Sequence, residues 1–250
     1  MLSEQRQALI LKYLEERKSI TVGELTEILD ISESTARRDI TVLDKAGKLV
    51  KVFGGAVALE NRYLSQEATV AQKTEVNKTE KRQIARYAAA MIRKDDFVYL
   101  DAGTTTGYML DFLEETKATF VTNAVAHAQR LAAKGIHVLL IGGTLKASTE
   151  AVVGATAALM LKDYHFTRGF FGTNGVSKDA GFTTPDVNEA LVKRTAMGQC
   201  KDAFVLCDHT KFNVVSSVTF APLAGGRILT DCGQEEYEDT AKIVVCKTIN

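Results

Sequence analysis

Arginines, short hydroxyl side chains and a capping serine occur together in the segment 32–41, SESTARRDIT. Arginine donates paired hydrogen bonds to guanine, and serine and threonine hydroxyls reach base edges in the major groove of B-DNA. The hydroxyl of Ser32 is placed to accept from the backbone N–H of Thr35 and so to begin a helix. Burial of Ile40 and Leu43 on one face of this helix leaves both arginines on the other.

A preceding helix and a following hairpin would position this segment. Residues 22–29 carry apolar side chains at helical spacing, Gly47 ends the second helix, and the basic run 48–53 alternates before a Gly-Gly turn. A two-stranded wing of this kind lays lysines along DNA phosphates. The predicted DNA-contacting residues are Ser32, Ser34, Thr35, Arg37, Arg38, Thr41, Lys48 and Lys51.

An ordinary surface helix with solvated arginines explains the ARRD motif alone equally well, because charged faces are common. The ordered set of apolar helix, short turn, capped helix and basic hairpin is typical of a DNA-binding helix-turn-helix. The whole set therefore favours DNA recognition.

Small and charged residues also follow the predicted strands further along the chain. In residues 101–107, DAGTTTG, glycine lets the backbone approach an anion, and successive N–H groups and hydroxyls can hold a phosphate. An isolated glycine pair is more simply a tight strand-to-helix turn, and no Gly-Lys-Thr/Ser follows as in a Walker loop. Ligands of open α/β sheets bind where strands end. The predicted ligand-binding residues are Asp101, Gly103, Thr104, Thr105, Thr106, Asn123, Gly142, Gly143, Asn174, Glu189, Lys193 and Lys211.

Three of these residues have a simpler explanation that their positions leave open. Glu189 and Lys193 lie one helical turn apart and could form only a surface ion pair worth a few tenths of a kcal/mol. Lys211 follows a strand end, either as a cation for a phosphoryl group or as a solvated loop lysine.

From residue 95 onward, apolar runs alternate with helical segments, which predicts a parallel sheet with crossover helices. The run 218–220 is assigned to this sheet, and helices are expected at 108–115 and near 235–242. Residues 77–80, NKTE, predict a capping box that begins another helix. We predict domains at 1–59 and 77–250, joined by a polar, weakly periodic linker at 60–76.

The composition limits the class of protein. The chain has 250 residues, of which 46% are hydrophobic and 25% charged, and its net charge is zero. Proteins devoted wholly to nucleic acid are usually basic, so the balance favours a mixed molecule with a local basic surface. No membrane span or secretory signal is evident. The four cysteines are irregularly spaced, so we expect no metal or cofactor, and a cytoplasmic location.

Two motifs near the N-terminus resemble the DeoR family of bacterial repressors: S-x-x-T-A-R-R-D-I at 32–40 and the G-G-A hairpin at 54–56. Later motifs are similar to the effector domain of that family, and the resemblance covers nearly the entire chain. These are D-A-G-T-T, T-N, G-G, F-x-G-x-x-G, E-x-x-x-K and D-x-T-K-F, at 101–105, 122–123, 142–143, 170–175, 189–193 and 208–212.

The resemblance implies an α/β fold, with an N-terminal winged helix-turn-helix and a C-terminal Rossmann-like parallel-sheet domain similar to ribose-5-phosphate isomerase. It also implies a repressor of a carbohydrate operon, released from double-stranded operator DNA by a phosphorylated sugar. One short recognition helix gives little affinity, so we expect a homodimer or homotetramer.

The sequence also allows two other functions, an isomerase-like enzyme and an architectural DNA-binding protein. The related isomerases carry an acidic D-G-A-D-E stretch where this chain has GTNGV at 172–176. An isomerase-like enzyme with an accessory DNA-binding domain would need Asp101, Glu189 or Asp208 for proton transfer. A DNA-binding architectural protein without a ligand would have no use for the glycine-rich loops.

Overall fold

The computed structural model describes residues 3–17, 19–46, 48–58, 63–64, 69–114 and 116–247. The chain divides into two compact units, residues 1–63 and 64–250. Gly47, predicted to end a helix, and parts of the predicted linker lie outside the described residues. The proposed linker bounds stay a prediction, although a helix forms within them at Val70–Glu75.

Three helices and a three-stranded antiparallel sheet form the N-terminal unit. Their bounds are α1 Ser3–Arg17, β1 Ser19–Thr21, α2 Val22–Leu29, α3 Glu33–Lys45, β2 Val50–Val52 and β3 Gly55–Val57. The strands lie in the order β1-β3-β2, so that Ile20 pairs with Ala56. The predicted winged helix-turn-helix fold is confirmed.

Local capping explains where α2 and α3 begin. The Thr21 hydroxyl accepts from the backbone N–H of Glu24, whose carboxylate accepts from the backbone N–H of Thr21 at 2.7 Å. Asp30 ends α2 in the left-handed region, with φ 48°. Ser32 then caps α3 by accepting from the backbone N–H of Thr35 at 3.3 Å, as predicted. Short-range chemistry thus sets both ends of the turn.

One buried ion pair ties α1 to α3. The guanidinium of Arg6 donates to the carboxylate of Asp39, with Nη2 3.1 Å from Oδ1. Asp39 is buried together with Ala36 and Ile40. The aspartate of the ARRD motif therefore belongs to the interior of the unit, while the arginines beside it remain exposed.

The C-terminal unit contains most of the helices and strands. Strand β4, Tyr63–Leu64, falls on the division between the units. The elements after it are α4 Val70–Glu75, α5 Lys78–Ala90, β5 Phe97–Leu100, α6 Thr104–Met109, β6 Thr119–Thr122, α7 Val125–Ala133, β7 Val138–Leu140, β8 Thr144–Lys146, β9 Ala151–Val153, α8 Ala155–Leu161, β10 Phe166–Gly172, β11 Gly175–Ser177, β12 Gly181–Thr184, α9 Val187–Gly198, β13 Cys200–Leu206, β14 Val215–Ser216, β15 Val218–Ala221, β16 Arg227–Thr230 and β17 Lys242–Val245. Short 3₁₀ turns lie at His209–Lys211, Leu223–Gly225 and Glu235–Tyr237.

A seven-stranded parallel sheet in the order β17-β16-β13-β10-β5-β6-β7 organises this unit. Consecutive strand residues enter opposite hydrophobic clusters: Phe171 packs on one face and Phe170 on the other. Burial on both faces is typical of a parallel sheet covered by helices. The predicted parallel sheet is confirmed. No helix among the described residues is both long enough and apolar enough to cross a membrane.

The structure corrects several local predictions. The run 218–220 joins a separate antiparallel sheet, β11-β12-β15, because apolar alternation does not identify which sheet a strand enters. The helix expected at 108–115 is instead α6, which begins at Thr104. The region near 235–242 holds only a 3₁₀ turn before β17. Asn77 does not cap α5 with its side chain and has φ 50°.

Two adjacent glycines in the wing allow a test of its geometry. A Cβ on Gly55 would lie 2.1 Å from the carbonyl oxygen of Ile20, whereas one on Gly54, at φ +79°, would meet open space. We expect Gly55→Ala to lower the free energy of unfolding of the N-terminal unit by about 1–3 kcal/mol. Gly54→Ala should cost about 1 kcal/mol from its dihedral angle alone. Urea unfolding followed by circular dichroism measures both, and equal losses would contradict the packing argument.

Candidate functional site

The exposed face of α3 in the N-terminal unit carries the predicted base-reading residues. Arg37 and Arg38 are both exposed, and Arg37 pairs with Glu33 across one helical turn, Nη2 to Oε2 3.0 Å. Both members of this pair are largely solvated, so the bond is weak and exchangeable for another acceptor. Ser32, whose hydroxyl lies 2.9 Å from that of Ser34, is placed at the helix N-terminus. Backbone N–H groups there favour a phosphate oxygen.

The wing is hydrogen-bonded directly to α3. The Lys51 ammonium donates to the Thr41 hydroxyl at 3.1 Å, and its backbone N–H donates to Asp44 Oδ1 at 2.9 Å. Lys48 is exposed at the start of the hairpin. The Lys51 contacts bring this lysine to the side of the helix that carries Thr41, whose hydroxyl additionally donates to the carbonyl of Arg37.

Two exposed apolar residues of the N-terminal unit were not predicted to contact DNA. Val42 lies on the exposed side of α3, and Phe53 is exposed beside the turn of the wing. An apolar side chain in the major groove can contact the methyl group of thymine. Their signal in the sequence is weak, because Val42 adjoins the buried Leu43 in α3 and Phe53 ends the alternating hairpin run, so both resemble core residues.

A cavity in the C-terminal unit lies where β5, β10 and β13 end. Seven of the predicted ligand-binding residues line it: Gly103, Thr104, Thr105, Asn174, Glu189, Lys193 and Lys211. The cavity is also lined by residues that were not predicted, namely Val70, Lys73, Lys81, Ala102, Thr149, Gly172, Thr173, Leu206, Cys207 and Asp208.

A buried ion pair lies beside the cavity: Lys193 lines it, whereas Asp101, also predicted to bind the ligand, is buried behind Lys193 and does not line it. Lys193 of α9 donates to Oδ2 of Asp101 and, at 3.1 Å, to the carbonyl of Gly172. The same carboxylate oxygen accepts from the backbone N–H of Gly172 at 3.0 Å. Burial raises the pKa of Asp101, and the neighbouring ammonium and N–H act against that rise. The bonds of Asp101 thus join the ends of β5 and β10 to α9.

The loop 101–107 is shaped by residues behind it. The Thr106 hydroxyl donates to the carbonyls of Asp101 and Gly103, and Asn123 Oδ1 accepts from the backbone N–H of Ala102 at 2.8 Å. Thr106 and Asn123 therefore support the loop and do not line the cavity. A Cβ on Gly107 would lie 2.9 Å from Nε2 of the buried His127. Burial lowers the pKa of that imidazole to about 4, so it is neutral at pH 7.

Glu189 and Lys193 do not form the surface pair that their spacing allows. Both side chains are buried, and Glu189 instead accepts from Thr149 at 2.6 Å, from Lys146 at 3.2 Å and from Thr184 at 3.2 Å. Glu189 and Lys193 thus have separate partners, and both residues line the cavity.

A second group of charges lies where β13 ends. Lys81 of α5 is 4% exposed and donates to the carbonyl of Lys73. Burial lowers the pKa of Lys81 to about 8. Although burial acts to raise the pKa of Asp208, the neighbouring Lys211 and Lys81 bring it below its ordinary value. Asn77 donates to Asp208 at 3.1 Å, which explains why it does not cap α5.

The cavity lining is positively charged overall. Four lysines, Lys73, Lys81, Lys193 and Lys211, line it with two carboxylates, and the Asp101 carboxylate paired with Lys193 leaves one positive charge in excess. The sequence spacing could have predicted that Lys81 is buried, since it lies three positions before Ile84 on the buried face of α5. Lysine at such a position is ordinarily assumed to be exposed.

Gly142 and Gly143 do not line this cavity. Both are exposed in the loop between β7 and β8, and the backbone N–H of Gly142 contacts Sδ of Met160 at 3.3 Å. A Cβ on Gly143 would lie 2.9 Å from the carbonyl oxygen of Val153. The motif lies beside the sheet edge, because a strand-end position does not determine on which side a loop leaves.

His209, Asp231 and Cys232 lie close enough together to resemble a metal-ligand set. Both carboxylate oxygens of Asp231 already accept from His209, one from its backbone N–H at 2.8 Å and one from Nδ1 at 2.7 Å. These two bonds fix the 3₁₀ turn that places Lys211 at the cavity. The cluster is thus accounted for by the turn.

A winged helix-turn-helix unit joined to an α/β unit with a cationic strand-end cavity defines a ligand-sensing DNA-binding regulator. Residues 6–62 match the family model described as the DeoR-like helix-turn-helix domain, and residues 76–231 match the DeoR C terminal sensor domain. The chain belongs to the DeoR family of transcriptional regulators, as its motifs predict.

Named relatives span nearly the whole chain. The HTH-type transcriptional regulator FruR of Bacillus subtilis is 39% identical over 99% of this chain and 100% of its own length. The lactose phosphotransferase system repressor of Streptococcus mutans is 30% identical over 94% of this chain and 95% of its own length. The HTH-type transcriptional repressor GlcR of Bacillus subtilis is 31% identical over 89% of this chain and 86% of its own length.

Among solved structures, the ribose 5-phosphate isomerase A of Methanocaldococcus jannaschii is similar, with a TM-score of 0.42 and 14% identity. The similarity covers 54% of this chain and 55% of that one. A likeness at this level carries no functional argument.

The exposed arginines of α3 give a direct test of the DNA-binding face. If Arg38 contacts a guanine, Arg38→Ala should cost about 1–3 kcal/mol of specific operator affinity and leave non-specific affinity nearly unchanged. Gel shifts against operator and scrambled duplexes at fixed salt measure both. Lys12→Ala, at an exposed position of α1, is the matched control. Undiminished operator binding by the Arg38 variant would remove this residue from the interface.

Proposed function

We propose that this regulator is a repressor of a carbohydrate transport or catabolism operon, and that a phosphorylated sugar releases it from its operator. The observation that carries the proposal is the positive excess of the strand-end cavity, which suits an anionic ligand. A sugar phosphate also offers hydroxyls for Thr104, Thr105, Asn174 and the other polar side chains there.

The choice of a sugar is supported by the relatives. One is named a lactose phosphotransferase system repressor, and its sequence aligns with nearly all of this chain. We assign the phosphoryl group of the effector to the lysine-rich end of the cavity, where Lys81 and Lys211 lie near Asp208 and Lys73 lies near Lys81. Lys193 is a less suitable anchor because Asp101 already neutralises it.

Regulation without catalysis is the better-supported function. An isomerase needs a carboxylate that can accept a proton from its substrate, within hydrogen-bond reach. Asp101 is held by Lys193 and Gly172, Glu189 by Lys146 and Thr149, and Asp208 by Asn77 and Thr210. Each of the three carboxylates considered from the sequence thus has structural partners, which favours a binding site over a proton shuttle.

Helix α4 is the element through which we propose that ligand binding is communicated. Its residues Val70 and Lys73 line the cavity, and Val70 donates its backbone N–H to the carbonyl of Ser148 at 3.2 Å. The chain continues from the start of α4 toward the DNA-binding unit. A phosphate that binds Lys73 and Lys81 would therefore change the position of the first helix of the sensor. A typical coupling of about 1–3 kcal/mol corresponds to roughly a 5–150-fold change in operator affinity.

We further propose that the regulator acts in the cytoplasm as a homodimer or homotetramer. A single recognition helix contacts one half-site, and two half-sites one helical turn apart supply the missing affinity. Double-stranded operator DNA and the phosphorylated sugar are its partners.

A melting screen tests the effector assignment. A true effector raises the midpoint of thermal unfolding, because a ligand that binds only the folded state stabilises it. We expect one sugar mono- or bisphosphate of a panel to do so for the wild type. Lys211→Met and Thr105→Ala should lose that shift and the release of operator, yet keep operator binding in gel shifts. Lys162→Met, an exposed lysine after α8, is the control. Normal induction of both cavity variants would place the effector elsewhere.

The lowered pKa of Lys81 predicts a pH dependence for the effector. A bound phosphate requires the protonated ammonium, and the phosphate itself is already fully charged well above its own pKa of about 6. As pH rises from 8 to 9, loss of the proton from Lys81 should weaken binding by up to about fivefold. Isothermal titration across this range measures it. Lys81→Met should bind more weakly and show a flat profile, and an equal slope in both proteins would exclude Lys81.

A further inference from the structure

Exposed apolar side chains are concentrated at one edge of the seven-stranded sheet. Of the eight large apolar residues that are exposed in the described part of the chain, five lie between residues 139 and 160. We call the following residues the edge surface: Leu139, Leu140, Gly142, Gly143, Thr144, Leu145, Ala155, Thr156, Leu159 and Met160.

The edge surface carries no charged side chain. Sδ of Met160 lies 3.3 Å from the backbone nitrogen of Gly142, which joins the end of α8 to the loop after β7. Leu145 and Leu159 are 58% and 59% exposed. The nearest lysine in sequence, Lys146, is committed to Asp186 and Glu189. A concentration of exposed apolar side chains of this kind indicates an interaction site in soluble proteins.

Strand β7 also offers backbone groups to a partner. Its neighbour on one side is β6, and no other described strand pairs with it. The carbonyl of His137 and the N–H of Ile141 bond toward β6, at 2.9 and 3.0 Å. Because successive residues of a strand alternate, the N–H and C=O groups of Val138 and Leu140 point away from the sheet. Proteins rarely leave such an edge uncovered.

We propose that a second copy of this chain covers the edge surface. An uncharged apolar surface requires an uncharged apolar partner, and the same surface on another copy supplies one. A two-fold axis at Leu139 would pair β7 with its own copy in antiparallel fashion, so that Val138 lies opposite the partner's Leu140. The absence of side chains at Gly142 and Gly143 allows close approach of the two loops. The choice of a second copy rests on the proposed function, since a single recognition helix requires a second half-site.

The mass of the protein in solution tests this interface. Leu145→Glu and Leu159→Glu alter exposed positions, so we expect both variants to fold, as judged by circular dichroism. Light scattering after size exclusion should give them half the mass of the wild type. Val187→Glu is the matched control, because Val187 is 65% exposed in the same unit and lies outside the edge surface. It should keep the wild-type mass.

Cross-linking tests the position of the axis. Leu139→Cys should form a disulfide between two copies under mild oxidation, because facing residues at the axis have Cα atoms within disulfide range. The exposed Cys232 is replaced by serine in this background to exclude its own cross-links. Val187→Cys in the same background should remain uncross-linked.

Halved masses together with the Leu139→Cys cross-link support the proposal. A monomeric wild type, unchanged masses of both glutamate variants, or failure of Leu139→Cys to cross-link overturns it. Gel shifts on a duplex with two half-sites separate this result from the proposed function. If the wild type binds no duplex, the repressor function fails, while mass and cross-linking still decide the edge surface. If both hold, the half-mass variants should lose roughly 100-fold or more in operator affinity.

Discussion

The ion pair between Asp101 and Lys193 is the contact on which the sensor unit depends. Its carboxylate follows β5, its ammonium belongs to α9, and both bond to Gly172 at the end of β10. Removing one member of such a pair would leave a buried charge uncompensated, which is far more costly than exchanging the pair for apolar groups. The pair therefore holds the strand ends beside the cavity and contributes little net charge, so the positive charge of the cavity comes from Lys73, Lys81 and Lys211.

Lys81 illustrates how this fold holds a positive charge in its interior. An ammonium group taken out of water loses hydration, so its pKa falls unless nearby negative charges or hydrogen-bond acceptors stabilise the charged form. Here a carbonyl of α4 and the carboxylate of Asp208 supply part of that compensation. An anionic ligand would complete it. Under the proposed function, an anionic ligand would favour the arrangement that brings α4, α5 and the 3₁₀ turn containing Lys211 together.

Much of the fold could be predicted from short-range chemistry. Thr21, Asp30 and Ser32 fix the helix-turn-helix through caps, and two-sided burial of residues such as Phe170 and Phe171 fixes the parallel sheet. Features that depend on contacts between distant parts of the chain could not be predicted in this way. Asn77 reaches Asp208, 131 positions away, and so departs from its expected cap. The Gly142–Gly143 motif could be placed after a strand, but its direction away from the cavity depends on packing against Val153 and α8.

The buried bond between Arg6 and Asp39 has an evolutionary consequence. It anchors α3 from behind, through a residue that lies between the exposed positions 38 and 42. The stability of the N-terminal unit and the identity of its solvent-facing residues are thereby carried by different side chains. If the proposed contacts at positions 37, 38 and 42 read the operator, gene duplicates could diverge there without first acquiring stabilising changes elsewhere. A scaffold with this separation suits a family in which one architecture serves many promoters.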